Sequence, residues 1–335
     1  RDGGNKQDYP LHERDIAESV KHNMKVAGIS YDRFFREYDL LSIYASGQFL
    51  DRKAYYGAGK SLSSYGQTGD FTYNTGIQYK ALLGKATIIG GFESTGGFLL
   101  DKKLGYPDVK NAGINYEDST ILITHEENTV IADQSSISTG FFAQYELKLD
   151  KFRALAGIRF DHFEIKDLAL NESSPKTGNV ISPRLSIMYE VFKDMQARIS
   201  YSQGYRAPQI FDEDLHIESS AARQVIHRNN ASLKQETSHS FMASVDYNGL
   251  IGTVYSGFLL EGFYTRLDDA FANQIGDPED DGTVVYTRIN AEGGALVSGI
   301  NIELKLKLLQ DIEMVSGFTI QTSQYDTPEE KFNET

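Results

Sequence analysis

The sequence predicts an all-β protein, an antiparallel transmembrane β-barrel, on three observations. Apolar and polar residues alternate along many segments, the connections between these segments alternate between short and long, and the chain has 20 Tyr and 19 Phe but no Trp. Alternation with a period of two is typical of strands, and aromatic residues favour pleated sheets. No run approaches the ~18 apolar residues that a membrane helix needs, so a helical membrane protein is excluded.

The alternation is clearest in four segments. In "STGFFAQYELKLD", Phe141 and Tyr145 fall on one face, and Glu146 and Lys148 fall on the other. The segments "FRALAGIRFDHF", "MQARISYSQ" and "SHSFMASVDY" repeat this pattern. Because successive side chains of a strand point to opposite faces, each segment has an apolar and a polar side. In a barrel, we expect the polar side to line the lumen with these residues: Glu146, Lys148, Arg153, Arg159 and Arg198.

About twelve strands are predicted, and they are longer than the ~5–6 residues usual in soluble proteins. They lie near residues 23–33, 38–52, 71–80, 86–100, 137–148, 152–165, 179–190, 195–206, 236–247, 252–270, 283–308 and 312–325. The short connections are "FREY", "ALLGK", "LDK", "FKD", "NGLIG" and "LQD"; the long ones are near 53–70, 101–136, 166–178, 207–235 and 271–282. Outer-membrane barrels have short periplasmic turns and long extracellular loops, so this rhythm favours a membrane barrel over a soluble β protein.

Two local features belong to this interpretation. Tyr79, Tyr189 and Tyr247 lie next to short turns, where amphipathic rings favour the level of the lipid headgroups. Tyr is also an ordinary strand residue, so the same positions are compatible with a soluble sheet. In the longest segment, Gly293 and Gly294 are expected to mark a bulge or kink within one continuous strand.

Charge and cysteine content restrict the class of function. The net charge of −14 argues against nucleic-acid binding, which needs a basic face, and we attribute it to solvated loops. The absence of Cys excludes a disulfide scaffold and a thiolate metal site. Both ends of the chain are polar, and two open sheet edges would leave backbone groups unpaired in lipid. We therefore expect residues 1–335 to be one partial barrel domain of a longer protein.

Two boxes flank the long polar loop near 207–235, and together they resemble those of a known family. The first, "GYRAP", resembles the "[YF]RAP" box of TonB-dependent outer-membrane receptors and supplies Tyr205, Arg206, Ala207 and Pro208. The second, "NNASLKQETSHS", resembles the family's "NPNLKPE" box, and four residues match: Asn230, Leu233, Lys234 and Glu236. It departs from that box at Ala231, Gln235 and Ser238–His239. The phrase "RAPQIFDEDLHI" resembles receptors from the Bacteroidetes.

The resemblance implies a 22-stranded barrel with an N-terminal plug domain. This chain would supply about twelve of the strands and neither the plug nor the segment that contacts TonB. The implied location is the outer membrane of a Gram-negative bacterium. The implied partners are membrane lipid, a small-molecule ligand and, through the missing plug, the TonB complex, with a surface lipoprotein as a further candidate and no nucleic acid.

The residue types of the boxes also indicate a structural role. Pro208 cannot donate to a β-ladder and is expected to end its strand. Arg206 is expected to pair with a carboxylate of the adjoining loop, at Asp212, Glu213 or Asp214. The boxes would then shape the base of the loop, and direct contact with the ligand is the alternative.

Two groups of loop residues are candidates for cargo or metal binding. His216 and His227 lie between the boxes, and histidine is a common ligand of haem iron, so either is a candidate contact for haem or an iron chelate carried as cargo. The acidic turn "GDPEDDGTV" offers oxygen ligands for Ca²⁺ at Asp277, Glu279, Asp280 and Asp281. The spacing does not match an EF-hand, and such turns are often only solvated.

The sequence predicts no enzyme. Neither His162 nor His239 lies in a recognisable Ser/His/acid arrangement. "GFESTGG" is not a nucleophile elbow, and "YYGAGKS" lacks the first Gly of a phosphate loop.

The expected function is that of an outer-membrane active-transport receptor. It would capture and import a scarce bulky ligand, which could be an iron–siderophore, haem, cobalamin or a glycan, with energy supplied through TonB. The alternative is a self-contained outer-membrane barrel that acts as a channel, an adhesin or a surface enzyme.

Overall fold

A computed structural model describes residues 16–36, 38–58, 64–105, 107–115, 120–126, 128–168, 175–208, 225–276, 284–309 and 312–326. The described residues form strands joined by turns, and none of their segments is a helix long and apolar enough to span a membrane. The strands are β1 (Ile16–Phe35), β2 (Asp39–Ala58), β3 (Tyr65–Leu83), β4 (Ala86–Lys103), β5 (Pro107–Asn115), β6 (Thr120–His125), β7 (Thr129–Leu149), β8 (Phe152–Asp167), β9 (Lys176–Phe192), β10 (Met195–Arg206), β11 (Val225–Asn229), β12 (Glu236–Ile251), β13 (Val254–Asp268), β14 (Phe271–Ile275), β15 (Val284–Asn290), β16 (Ala295–Leu309) and β17 (Ile312–Tyr325).

Twelve of these strands form one antiparallel sheet, which confirms the predicted all-β class and strand number. Their order is β1-β2-β3-β4-β7-β8-β9-β10-β12-β13-β16-β17, so each strand pairs with its neighbour along the chain once the loop strands are left out. β1 and β17 are the two edges of this sheet. Two smaller sheets, β5-β6 and β11-β15-β14, are built from the connections.

The strand ends that the six predicted short connections join lie at one end of the sheet, called here the short-turn end. Left-handed backbone conformations allow the chain to reverse there within two or three residues, at Arg36, Gly84, Asp194 and Gly252. The predicted tyrosines lie near this end: the side chains of Tyr79 and Tyr189 are 42% and 48% exposed, and the Tyr247 hydroxyl donates to the Leu250 carbonyl at 3.1 Å. The longer connections lie at the opposite end, called here the loop end.

The structure corrects the expectations for four of the longer connections. Residues 53–70 are largely strand, because β2 continues to Ala58 and β3 begins at Tyr65. The predicted connection 101–136 contains the hairpin β5-β6 and the first part of β7. The segments 207–235 and 271–282 contain β11 and β14. Beyond the apolar band the strands lose their alternation, so their sequence gives no sign of how far they continue.

The predicted strand 283–308 is also wrong as a single element. β15 ends at Asn290, and β16 begins at Ala295 in a different sheet. Gly293 and Gly294 have φ angles of 77° and 82°, a left-handed backbone that glycine adopts without a Cβ penalty. The two glycines therefore make a turn between two sheets, where a bulge within one strand was expected. The predicted strand 252–270 corresponds to the single strand β13, Val254–Asp268.

The main sheet has an apolar face and a polar face. Across β7, β8 and β9, Phe141, Phe160 and Ile181 pair in one row and are 61%, 43% and 55% exposed. The adjacent residues of the same strands, such as Arg159 and Asp161, point to the other face. A wall that exposes its large apolar residues on one side has the pattern of a membrane barrel, in which those residues face lipid.

Candidate functional site

A wide cavity lies on the polar face of the main sheet, along β7 to β10, β12, β13 and β16. Its volume is about 730 Å³, and its lining includes the arginines Arg153, Arg184 and Arg198 together with Glu146 and Glu261. Arg153 pairs with Glu146 at 3.3 Å. The three arginines lie on the successive strands β8, β9 and β10, so this part of the wall presents positive charge to the space in front of it.

A tighter network lies further along the same face. Arg159 donates through Nε to both oxygens of Asp161, at 2.8 Å each, and through a terminal nitrogen to Glu93 at 2.7 Å. The Tyr44 hydroxyl donates to the other oxygen of Glu93 at 2.9 Å. The network joins β2, β4 and β8, and a guanidinium held between two carboxylates forms hydrogen bonds stronger than neutral ones.

Glycines on the neighbouring strands make room for this network. A Cβ at Gly140 would strike the Asp161 carboxylate, and a Cβ at Gly76 would lie 2.5 Å from the Tyr44 hydroxyl. Asp161 is only 1% exposed although it lies on the polar face. The missing side chains therefore let Asp161 and Tyr44 lie flat against the wall.

At the loop end, β10 leaves β9 and carries the first predicted box to the polar face. The ladder between β9 and β10 stops at Ser202–Arg184, and the next residue of β9 is Pro183, which has no N–H to donate. The Gln203 side chain donates to the Ile181 carbonyl at 3.0 Å. β10 remains paired with β12 as far as Arg206–Glu236.

The displaced end of β10 places Tyr205 in a small core. The Tyr205 ring stacks on Phe163 with centroids 5.8 Å apart, and its hydroxyl lies 3.0 Å from the Ser138 hydroxyl. Ala207 packs on the same cluster of Phe163, Ile165 and Val180. Pro208 is buried as well. Three residues of the first box thus pack at the base of the loop.

Arg206 and Glu236 connect the two boxes. They are paired residues of the β10–β12 ladder. The Arg206 guanidinium lies 5.9 Å from the centre of the Phe271 ring, and Glu236 accepts a hydrogen bond from the Phe271 N–H at 2.9 Å. The residues predicted to pair with Arg206, at 212–214, lie outside the described residues.

The second box is a tight turn. The Asn230 side-chain oxygen accepts hydrogen bonds from the Ser232 N–H and hydroxyl at 2.8 and 2.7 Å. Such a bond from an Asn side chain to the backbone two residues on is a known turn former. The Asn230 carbonyl accepts from Lys176 Nζ at 2.7 Å. Burial lowers the pKa of Lys176, and the charge of Asp167 opposes this shift.

The rest of the second box is held by β15. Leu233 is 5% exposed, so its side chain anchors the turn. Asn290 accepts from the Lys234 N–H at 2.8 Å and donates to the Lys234 and Asp269 carbonyls at 3.2 and 2.7 Å. One amide side chain therefore connects three segments of the chain.

Of the other predicted site residues, the structure describes only His227. His216 and the acidic residues Asp277, Glu279, Asp280 and Asp281 lie outside the described residues. His227 lies in β11, where its backbone pairs with Tyr286 of β15 in parallel orientation. Within the described ranges, no group of three or more His, Asp or Glu residues could hold a metal ion.

The two histidines considered for catalysis have other partners. His162 lies 2.9 Å from the Asn179 side chain. His239 lies 2.9 Å from the Tyr201 hydroxyl and 3.4 Å from Asp268. Neither contact includes a serine.

Sequence reasoning missed Glu93, Lys176, Pro183 and Asn290. Lys176 and Asn290 are single polar residues in loop-end segments, and nothing in their local sequence shows which distant carbonyl they bind. The break at Pro183 could have been predicted from the sequence, because a proline inside a strand cannot donate a hydrogen bond to one of its two neighbouring strands. Glu93 could also have been found, because it is a charged residue next to Phe92 in an alternating segment that has glycines on both sides.

Comparisons with known proteins agree with this geometry. The model of the family described as "TonB dependent receptor-like, beta-barrel" matches residues 4–334. The structure titled "Copper transporter OprC" has a TM-score of 0.70 at 10% identity, over 93% of this chain and 48% of that one. A double mutant of the Serratia marcescens hemophore receptor HasR, in complex with HasA and heme, has a TM-score of 0.63 at 12% identity, over 91% and 50% of the two chains.

A third structure, the ferric yersiniabactin uptake receptor FyuA from Yersinia pestis, has a TM-score of 0.62 at 12% identity. The match covers 92% of this chain and 43% of that one. No curated protein sequence matches the chain. The chain spans about half the length of the solved structures it resembles. At such low identity these structures establish the fold, and the family model establishes the membership: the chain belongs to the TonB-dependent receptor family, and its twelve-stranded sheet is part of that family's β-barrel.

Proposed function

We propose that the chain is the central part of an outer-membrane receptor that captures a scarce ligand and imports it with energy supplied through TonB. The observation that carries this proposal is the match of the family model to residues 4–334. The two-sided sheet supports it, because one face suits lipid and the other lines a polar lumen. The short-turn end would be periplasmic and the loop end extracellular.

The proposed ligand is a scarce and bulky compound. The resembled structures are named for copper, heme with its hemophore, and ferric yersiniabactin, and cobalamin and glycans are further candidates. The arginines of the 730 Å³ cavity would attract anionic groups, either of the ligand or of a plug domain inside the barrel.

The two boxes are proposed to hold the base of the extracellular loops and not to bind the ligand. The side chains of Tyr205, Ala207 and Leu233 pack at the base of the loops, and the side chain of Asn230 binds the backbone of its own turn. Haem contact at His216 or His227 is tested by replacing both with Ala in the full-length receptor. Ca²⁺ binding by Asp277, Glu279, Asp280 and Asp281 is tested by calorimetry with the four residues changed to Asn or Gln.

The experiment that tests the main proposal uses a strain lacking the gene for this protein. The strain is grown with each candidate compound as the sole source of iron, copper, cobalamin or carbon, with and without the wild-type gene. We expect one compound to support growth only when the gene is present, and we expect removal of TonB from the complemented strain to abolish that growth. Uptake that continues without TonB would contradict active transport and would favour a passive channel.

A further inference from the structure

A row of lysines crosses the outer side of the sheet near the loop end. Residues that pair directly across neighbouring strands point to the same face. One such row, called here the lysine row, runs across β1 to β4 and consists of Lys21, Lys53, Gln67 and Lys102. Lys25, four residues along β1 from Lys21, lies on the same face. Four ammonium groups are therefore presented on one side of the wall.

A row of phenylalanines gives the level of the lysine row in the membrane. Phe49, Phe71 and Phe98 pair directly across β2, β3 and β4 on the same face, and they are 45%, 40% and 47% exposed. Phe49 lies ten residues along β2 from its start at Asp39, a height of about 25 Å for a strand tilted by about 40°. This height is that of the apolar band of a membrane barrel, so the phenylalanines mark its rim. Lys53 lies four residues further along β2, about 10 Å higher, at the level of the lipid headgroups.

The positive charge of the lysine row is not balanced by ion pairs. Among the residues that the structure describes, the ammonium groups of these four lysines form no hydrogen bond and no ion pair. Two carboxylates lie nearby on this face: that of Asp51, which accepts a hydrogen bond from Gln67 at 3.1 Å, and that of Asp133. Four lysines against two carboxylates leave a positive patch on a chain whose net charge is −14.

The direct pairing of Lys21 with Lys53 has a cost for folding. Like charges directly opposite each other destabilise a sheet, and both side chains are exposed and belong to no salt-bridge network. An anion bound between the two ammonium groups would remove this repulsion. The pair is therefore explained by a ligand and not by the stability of the sheet.

We propose that the lysine row binds the phosphate groups of a glycolipid of the lipid A type in the outer leaflet of the membrane. Lys21 and Lys53 would bind one phosphate, and Lys102, about 10 Å from Lys53 across β3, would bind a second. The acyl chains would lie against the phenylalanines below. A zwitterionic lipid such as phosphatidylethanolamine is disfavoured, because its ammonium group would add a further positive charge to the patch.

The lysines would replace the divalent cations that bridge the phosphates of neighbouring glycolipids. Mg²⁺ binds phosphate oxygens through its positive charge, and an ammonium group fixed on the barrel wall offers the same attraction. The bound glycolipid would then remain on the protein when divalent cations are removed.

This site rests on the proposed position of the loop end outside the cell, but not on transport. The lysine row points away from the lumen, so its loss is expected to leave uptake unchanged. Normal uptake without lipid binding would locate the fault in the site, whereas lipid binding without uptake would locate it in the proposed transport function.

The test is native mass spectrometry of the full-length receptor in mild detergent with EDTA. The receptor is equilibrated with equal amounts of diphosphoryl lipid A, monophosphoryl lipid A and phosphatidylethanolamine. We expect diphosphoryl lipid A to be retained in preference to the other two. The triple variant Lys21→Gln, Lys53→Gln, Lys102→Gln is expected to lower its retention about tenfold, the result of a loss of about 1.4 kcal/mol of binding free energy.

The matched control removes three exposed lysines near the short-turn end, by the changes Lys151→Gln, Lys193→Gln and Lys307→Gln. It changes the net charge by the same amount and is expected to retain lipid A as the wild type does. Lys53→Gln alone removes the pair of like charges and serves if the triple variant does not fold. Equal retention by the wild type and the lysine-row variants, equal losses in the control, preferred retention of phosphatidylethanolamine, or release of lipid A from the wild type by EDTA would each overturn the proposal.

Discussion

The buried carboxylate of Asp161 gives the sharpest test of what holds the wall together. Asp161→Asn keeps the shape of the side chain but removes the charge that binds Arg159 through two contacts of 2.8 Å. The change leaves Arg159 with Glu93 as its remaining carboxylate partner among the contacts described. Because Asp161 is 1% exposed, water cannot replace the lost interaction at this position.

The magnitude follows from the burial of each partner. Breaking one side of a fully buried ion pair costs about 3–5 kcal/mol, and hydrogen bonds to charged groups contribute about 1.5–3 kcal/mol. The Arg159 side chain is 31% exposed and the Glu93 side chain is 22% exposed, so water compensates part of the loss. We expect Asp161→Asn to lower the free energy of unfolding by about 2–3 kcal/mol.

The assay is urea unfolding of the full-length receptor in detergent, followed by the circular dichroism of the sheet. Glu146→Gln is the control, because Glu146 and Arg153 form a pair on the same face with side chains 28% and 42% exposed. That variant is expected to cost less than about 1 kcal/mol. Equal costs for the two variants would refute the reasoning that burial of Asp161 sets the strength of the network.

Three further predictions concern the loop end. Pro183→Ala restores a backbone N–H and is expected to extend the ladder, raising hydrogen-exchange protection at Gln203 about tenfold; unchanged exchange would mean that the proline does not cause the break. Asn290→Ala removes the bonds to the backbone of Lys234 and is expected to speed proteolysis of the second box, with no change at the short-turn end as the internal control. The hydrogen bond from the Arg266 guanidinium lowers the pKa of Asp326. The ion pair between them therefore stabilises the folded protein above the ordinary carboxyl pKa of 3.8, and this stabilisation is lost as the pH falls through the lowered pKa. Asp326→Asn should therefore flatten the acid dependence of hydrogen exchange in the turn before β16, and an unaltered pH profile would contradict this.

The main sheet was predictable because its strands carry the two-residue period that a two-sided wall requires. Phe141 and Glu146 lie on opposite faces as predicted from their positions alone. The strand ends were less predictable. Tyr55 and Tyr65 lie beyond the predicted bounds of their strands, where the loss of a lipid face removes the selection for alternation.

The loop end was predictable in its composition but not in its connections. The period of β10 alone places Tyr205 on the same face as Tyr201, and its contact with Phe163 arises because β10 leaves β9 at Pro183. In the same way, Gly293 and Gly294 predict an interruption, but whether it is a bulge or a turn depends on which sheet each flanking strand joins.

The three-stranded sheet β11-β15-β14 has a mechanical consequence. β11 belongs to the connection that follows β10, and β14 and β15 belong to the one that follows β13. Five residue pairs join β11 to β15, from Val225–Val284 to Asn229–Arg288, so a hinge motion of either connection must carry the other with it. A ligand, antibody or toxin that binds one connection would therefore move both connections as one unit. The motion would be transmitted to the Asn230 turn, where the Asn230 carbonyl accepts a hydrogen bond from Lys176 of β9.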